Sequence, residues 1–277
     1  MSGTGGSQRG AVSPGTGGAG IANARERIAK VMARAGLCSR RDAERWIAEG
    51  RVRVDGVILT SPAVTVTPES DIKVDGKPLA KPAPSRLWRY HKPAGLVTTH
   101  RDEKERATIF DKLPPGLPRV VSIGRLDLNS EGLLLLTNDG TLARRLELPA
   151  TGWLRRYKVR VHGIVDAERL KRLANGITID GVAYGPIAAK LERQQGSNAW
   201  LEIGLREGRN REVRRVLEHL DYPVTRLIRL SYGPFQLGLL ERGAVEEVPR
   251  KVLADQLGTG GGAAAEKAQL RRAHHRR

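Results

Sequence analysis

The sequence predicts an α+β protein made of a small unit of two helices and a short sheet, followed by a larger unit built on a mixed, mainly antiparallel sheet. Three observations predict this. A length of 277 residues suggests about two domains. Helical and strand periodicities alternate along the chain without strict βαβ order, the mark of an α+β domain. Between the two patterned stretches lies Lys81-Pro82-Ala83-Pro84-Ser85, a Pro-rich segment that stays semi-extended.

Residues 1–24 are mostly Gly, Ser, Thr and Ala. They carry too little apolar surface to offset the entropy of ordering and are expected to be disordered. The first unit is assigned to residues 25–80. Ile28, Val31, Met32 and Ala35 recur at helical spacing, and Gly36 ends the run. Ser39 is placed as an N-cap with Asp42 three residues on, a capping-box arrangement. The helix it starts carries Ala43, Trp46 and Ile47 and stops at Gly50. Two alternating stretches then run into Asp-Gly, residues 52–58 and 72–78, and predict strands closed by tight turns.

Residues 81–86 are read as the linker and 87–252 as the second unit. It opens on residues 87–90. Strands are predicted at 119–123, 133–137, 155–161, 177–179, 187–191 and 199–205, and helices at 141–147, 166–174 and 210–220. Residues 253–277, Gly-rich and then basic, are read as a flexible tail that attracts phosphate without sequence preference.

Net charge is +18, from 48 Lys+Arg against 30 Asp+Glu. That balance points to a polyanion, a nucleic acid or an anionic membrane surface. No apolar run approaches the roughly 20 residues of a membrane span, so a membrane partner is not expected. The N-terminus lacks the apolar core of a signal peptide, so export is not expected. Cys38 is the single cysteine, which removes any disulfide framework or thiolate cluster and fits a reducing cytoplasm. The six histidines form no ligand pair, so no metal is expected. No phosphate-cradling or dinucleotide-binding glycine pattern is present, so no nucleotide cofactor is expected.

Arg40, Arg41, Arg45, Arg51 and Arg53 cluster about the second helix and the strand after it. A solvated charged face is the plain explanation; RNA phosphate contact is favoured here because the positive excess adjoins a helix start. The run Arg34-Ala35-Gly36-Leu37-Cys38-Ser39-Arg40-Arg41-Asp42-Ala43-Glu44 resembles the alpha-L RNA-binding motif, shared by a small-subunit ribosomal protein and tyrosyl-tRNA synthetase.

Further on, Gly124-Arg125-Leu126-Asp127-Leu128-Asn129-Ser130-Glu131-Gly132 precedes four leucines and Thr137-Asn138-Asp139-Gly140. It puts Asp127 in a polar loop directly before an apolar strand. On local chemistry alone this is either a turn-forming Asp bonded to its own backbone or a carboxylate held for reaction. The segment resembles the signature of the pseudouridine synthases, in particular the RsuA/RluB branch that acts on ribosomal RNA. The resemblance runs from about residue 25 to 248 and covers nearly everything except the two ends.

The resemblance implies that Asp127 attacks the target uridine, with no cofactor needed. An ionised Asp in an enclosed pocket requires a cation. On a helix over 210–220, Val213, Val216, Leu217 and Leu220 share the apolar face, Arg214 sits at its margin, and Arg215 points away to solvent or RNA. The family's basic residue that pairs with the catalytic Asp aligns with Arg214. Two positions depart from the pattern: Glu212, where Gln is commoner, and Val216, where Met is commoner. In residues 154–161, alternation puts Tyr157 on the face of Val159 and Val161. The family's Tyr that stacks on the substrate falls at Tyr157; a core Tyr is the plain alternative. Arg125 serves either RNA phosphate or its own loop. His91-Lys92-Pro93-Ala94-Gly95 resembles the family's Lys-Pro-x-Gly motif and is read as architectural, packing beside the Asp loop.

The reading is a cofactor-free RNA isomerase that makes pseudouridine in ribosomal RNA. Thr98-Thr99 and residues 149–153 resemble the type acting on the large subunit. A monomer in the cytoplasm is expected. The alternative from another class is a non-catalytic RNA-binding ribosome-assembly factor. It would share the charge and the first unit but has no need of Asp127, Tyr157 and Arg214 together. A methyltransferase would need a nucleotide-cofactor loop, and the sequence offers none.

Overall fold

The computed structural model describes residues 25–148 and 151–257. The chain divides into two compact units between Lys81 and Pro82. Residues 1–24, expected to be disordered, and the basic part of the tail from 258 lie outside the described residues.

The first unit begins with β1 (Glu26–Arg27), α1 (Ile28–Arg34) and α2 (Arg40–Ala48). The predicted capping box is present: Ser39 Oγ accepts the Asp42 N–H at 3.0 Å, and Asp42 Oδ2 accepts the Ser39 N–H at 3.2 Å. Such a cap is worth about 1 kcal/mol. Five short strands follow: β2 (Val52–Val54), β3 (Val57–Ile58), β4 (Thr65–Val66), β5 (Ile72–Val74) and β6 (Lys77–Pro78). They form a sheet of order β3-β2-β5-β6, while β4 pairs with β1. Both Asp-Gly pairs turn the chain with positive φ at each residue, the geometry a two-residue hairpin needs. Ile28, Met32, Ala43, Ile47, Val52 and Val74 close the core between the helices and the sheet.

The second unit is organised by one large sheet. Its strands are β7 (Leu87–Lys92), β8 (Val121–Ile123), β9 (Ser130–Thr137), β10 (Arg155–His162), β13 (Ile187–Gln195), β14 (Asn198–Leu205), β15 (Val224–Tyr232), β16 (Phe235–Gln236) and β17 (Val245–Glu247). The strands β11 (Ile177–Ile179) and β12 (Val182–Tyr184) form a separate hairpin. The helices are α3 (Gly140–Glu147), α4 (Ala167–Arg172), α5 (Glu212–His219) and α6 (Arg250–Leu257). Strand order is β13-β14-β10-β15-β9-β7-β17, with β16 beside β15 and β8 beside β9. Every pair is antiparallel except β15 with β9.

Strand β9 explains the four leucines. Leu134 and Leu136 join the core that holds α5, and Leu133 and Leu135 join the core that holds α3 and α6. A strand covered on both faces has no polar side, so it reads as a continuous apolar run. β10 behaves as predicted, with Tyr157, Val159 and Val161 buried and Arg156 and Arg160 exposed. Gly132 sits opposite Arg229 in the parallel pair, and a Cβ there would lie 2.3 Å from the Arg229 carbonyl oxygen. A side chain has no room at that position.

The structure corrects two boundaries. The linker is shorter than 81–86: Pro84 O accepts from Asn138, Ser85 Oγ donates to Asp139, and the Arg86 N–H donates to Asn138, so these residues belong to the second unit. The folded chain also continues past 252. Leu253 is buried in the core beside α3, and Leu257 O accepts from Arg145, which extends α6 to Leu257. β15 is absent from the predicted strands. None of the described helices is long and apolar enough to cross a membrane. No cluster of three or more His, Cys, Asp or Glu able to hold a metal occurs among the described residues.

Candidate active site

A cavity of about 1030 Å³ opens at the ends of β9, β10 and β15. Asp127, Tyr157, Arg125, Leu227, Arg229 and Arg211 are among the residues that line it.

The Asp127 loop is held from behind by its backbone. The Ser130 N–H closes a turn on Asp127 O at 3.0 Å, and the Gly95 N–H donates to Leu128 O at 2.8 Å. Lys92, buried at the end of β7, aims its ammonium at the same turn. Its Nζ donates to the carbonyls of Ser130 (2.9 Å), Pro93 (3.0 Å), Asp127 (3.1 Å) and Leu128 (3.3 Å). Burial pulls the Lys92 ammonium down to about 8, while Asp127 and Glu131 oppose the change and Arg229 adds to it. Thr98 Oγ1 donates to Leu126 O at 2.8 Å from the other side. The Lys-Pro-x-Gly segment therefore packs beside the Asp loop, and its lysine contributes most of the anchoring.

With the backbone fixed, the Asp127 side chain projects toward the cavity and keeps 30% of its surface exposed. Arg214 Nε and Arg211 Nη1 each lie 3.9 Å from Asp127 Oδ2. Arg214 is 8% exposed and is aimed by two carbonyls: Nη1 donates to Val224 O at 3.2 Å and Nη2 to Asn129 O at 3.1 Å. Its Nε has no hydrogen-bond partner among the described residues and faces the carboxylate. Burial, followed by the charge of Arg211, pulls the Arg214 guanidinium below its ordinary value, and Asp127 acts against the change. Arg211 precedes α5 with φ 53°, a left-handed conformation uncommon for a side chain of this size.

Tyr157 is buried in the core and faces Arg229 across the β10–β15 pair. Arg229 is 3% exposed, donates from Nε to Leu133 O at 2.7 Å, and leaves Nη2 without a partner among the described residues. Arg229 and Arg155 both lie within cation–π distance of the Tyr232 ring, at 5.3 and 4.7 Å. The cavity lining is net basic: Arg101, Lys104, Arg106, Arg125 and Arg209 line it against Asp102, Glu103 and Glu147. The arrangement offers one carboxylate with steered cations, an aromatic wall and a positive mouth, which suits a chemical step on one unit of a polyanion.

The structure thus brings Asp127, Tyr157 and Arg125 to one cavity and sets the buried Arg214 3.9 Å from Asp127, while Arg215 is exposed on α5. Arg40 and Arg41 are exposed at the start of α2. Arg45 and Arg51 are engaged within the first unit. Arg45 bridges Asp42 (3.3 Å) and Glu49 (3.7 Å), and Arg51 forks onto Asp75 and reaches Glu49 while lying 4.6 Å over Trp46. Arg211, Arg229 and the anchoring role of Lys92 escaped the sequence reading. Arg229 sits between Leu227 and Ser231 on the inward face of β15, so no apolar alternation points to it. Nothing in the sequence reveals the left-handed turn that aims Arg211.

Residues 86–219 match the RNA pseudouridylate synthase family, and residues 26–72 match the S4 domain. An uncharacterized RNA pseudouridine synthase of Rickettsia felis is 50% identical over 228 residues, covering 82% of this chain and 99% of the relative. The ribosomal large subunit pseudouridine synthase B of Salmonella typhi is 43% identical, covering 80% of this chain and 79% of the relative. A crystal structure of a pseudouridylate synthase superposes with a TM-score of 0.57 at 27% identity, covering 82% of this chain and 97% of the other. An S4 domain, a mainly antiparallel α+β second unit and relatives aligned over most of both chains lead to one assignment: this chain belongs to the RNA pseudouridine synthases, isomerases that convert uridine to pseudouridine in RNA.

Proposed function

We propose that the chain isomerises a uridine of large-subunit ribosomal RNA with Asp127 as the nucleophile. The observation that carries this reading is the carboxylate of Asp127 at the cavity wall, 3.9 Å from both Arg211 and Arg214. The 43% identity to the Salmonella typhi enzyme named for the large ribosomal subunit supports the substrate class. A substrate of that kind puts the work in the cytoplasm, and every group invoked comes from a single chain, so a monomer suffices.

The extruded uridine stacks on Tyr157, a sequence-tolerant way to hold an unpaired base. Asp127 attacks C1′ as the N1–C1′ bond breaks, and the bonding pair leaves on the uracil. The uracil turns, C5 bonds to C1′, and the carboxylate is released. The C5 proton is lost and N1 gains one, so the atoms balance with no redox partner. Arg214 and Arg211 keep the carboxylate oriented and offset its charge in a partly closed site. Arg125 and Arg215, with Arg40 and Arg41 of the first unit, contact phosphate. Arg45 and Arg51 take part by exchanging their carboxylate partners for phosphate oxygens.

The test is incubation with unmodified ribosomal RNA fragments followed by mapping of new pseudouridines. The wild type modifies a large-subunit fragment; Asp127→Asn does not, while its RNA affinity stays within about twofold. Pseudouridine made by Asp127→Asn would overturn the role given to this residue.

A further inference from the structure

Beside the turn that carries Arg211 lies a pair of carboxyl groups that the proposed chemistry does not use. Both oxygens of Glu207 have donors: Oε1 accepts the Gly185 N–H, and Oε2 accepts Arg209 Nε at 3.0 Å. Glu212, the first residue of α5, is 3% exposed. Its Oε2 accepts the Arg209 N–H at 2.9 Å, but its Oε1 is buried and meets no donor among the described residues. The two carboxyl groups share Arg209, which donates its backbone N–H to Glu212 and its Nε to Glu207.

Two carboxylates cannot satisfy one another, because each only accepts. A buried charged oxygen without a partner is costly. One proton on Glu212 Oε1 removes both conflicts, since it donates to Glu207. Glu207 is the partner that stays ionised: burial raises it, but the Gly185 N–H and Arg209 outweigh burial and hold it below its usual value. Burial, reinforced by the charge of Glu207 and opposed by the Arg209 N–H, pushes Glu212 up to about 7.

The pair is tied to Arg211 by the backbone. The Arg209 N–H donates to Glu212 Oε2, and the Glu212 N–H donates back to Arg209 O at 3.3 Å. This closed turn contains Arg211 in its left-handed conformation, which brings the guanidinium to Asp127. Resting on the reading of Asp127 as the nucleophile, we propose that Glu212 is a positioning residue: its protonated carboxyl bridges Glu207 and the Arg209 N–H, and so holds the turn that sets Arg211 against Asp127.

Loss of the proton leaves two like charges in contact, and Glu212 must find a cation. The charged and titratable groups around the pair are Arg209 and Arg211 on the turn, Arg214 on α5, Arg155 on β10 and Tyr184 on β12. Arg209 is bonded to Glu207, Arg155 to the carbonyls of Arg206 and Glu207, and Arg214 to those of Val224 and Asn129. Arg211 makes only its long contact to Asp127 among the described residues. A deprotonated Glu212 therefore competes with Asp127 for Arg211. The aligned state is held below about pH 7 and is lost as pH rises through that value. Bound RNA phosphates favour the proton and move the inflection upward when substrate saturates.

The test compares kcat and KM for pseudouridine formation in wild type, Glu212→Gln, Glu212→Ala and Asp127→Asn from about pH 5.5 to about 9. Wild-type kcat falls about tenfold per pH unit above the inflection. Glu212→Gln keeps a donor toward Glu207 and an acceptor for Arg209, so it retains activity and loses the inflection. Glu212→Ala is slow throughout. A Glu212→Gln profile that superimposes on the wild type overturns the proposal. Asp127→Asn separates the two readings: activity in that variant defeats the nucleophile assignment, whereas a silent Asp127→Asn beside unchanged Glu212→Gln defeats the positioning role alone. A carboxyl carbon-13 titration adds a readout independent of turnover, with a Glu resonance titrating near pH 7 in the wild type and missing from Glu212→Gln; its absence from the wild type overturns the proposal as well.

Discussion

Replacing Lys92 by Met tests whether the Asp127 carboxylate is positioned through its backbone. The substitution keeps the bulk of a fully buried side chain and removes only the ammonium. Four carbonyls, those of Pro93, Asp127, Leu128 and Ser130, lose a charged donor. Two of them are not orphaned, because Asp127 O keeps the Ser130 N–H and Leu128 O keeps the Gly95 N–H. Each of the other two costs about 1–3 kcal/mol if left bare. Against this, the variant recovers the cost of burying the charge. The fall of the lysine from 10.5 to about 8 corresponds to about 3 kcal/mol. The net loss of stability is then small, about 0–3 kcal/mol, or a fall in Tm of at most about 10 °C. Catalysis responds differently. A displacement of about 1 Å in a reacting group can cost about a hundredfold in rate, and the Asp127–Ser130 turn loses its main anchor. Lys92→Met should therefore drop pseudouridine formation about a hundredfold while staying folded. Thermal unfolding and single-turnover kinetics measured on one preparation read both quantities. Full activity at unchanged Tm would refute the anchoring argument, and activity falling only in step with the folded fraction would reduce Lys92 to a core residue.

Gly132→Ala should cost more than about 4 kcal/mol, since the new methyl meets the Arg229 backbone at 2.3 Å and φ is +100°; wild-type stability in urea would show that the β9–β15 register is wrong. Arg214→Lys keeps the charge but not the fork onto Val224 O and Asn129 O, so activity should fall about 10- to 100-fold with RNA affinity intact in a gel-shift assay. Arg40→Ala with Arg41→Ala should weaken binding of all RNAs alike and flatten the log–log salt dependence by about 1 to 2; unchanged salt slopes would remove these residues from the interface. Because the folded pKa of Glu212 is raised from 4.5 to about 7, the folded state holds the extra proton between those values, and stability falls as pH rises through that window and levels above it. After allowance for screening the change is about 1–2 kcal/mol, and Glu212→Gln should abolish it in urea melts taken across the same range.

The parts of this structure that were legible in the sequence are those whose signal is local. The Ser39–Asp42 cap, the two Asp-Gly turns and the alternation in β10 each depend on residues within a few positions, and each is present. Asp127, Tyr157 and Arg214 could be named through the family resemblance and through helix and strand geometry. β15 was hidden because its inward positions read Leu227, Arg229 and Ser231. A charged residue on the buried face breaks the apolar alternation, and Arg229 is tolerated there only because it donates to Leu133 O and lies by the Tyr232 ring. The reach of α6 to Leu257 was hidden for the opposite reason. Its apolar face is short, and the core that receives Leu253 comes from distant α3 and β16.

Missing β15 also concealed why the site closes at all. Asp127 and Arg214 are far apart in sequence, and no local rule makes them meet. The parallel pairing of β15 with β9 starts at Leu227 and Ser130, three residues after Asp127. The chain enters β15 from α5 through the short turn at residues 220–223, so the helix must lie beside the start of β9. Val224 O, at the first residue of β15, and Asn129 O, at the last residue before β9, are the two carbonyls that receive Arg214. The guanidinium thus measures the separation of the two strands at the point where the carboxylate emerges. A shift of register in this single parallel pair would move both acceptors and carry Arg214 away from Asp127. The sheet's one departure from antiparallel order is therefore what brings Arg214 to Asp127.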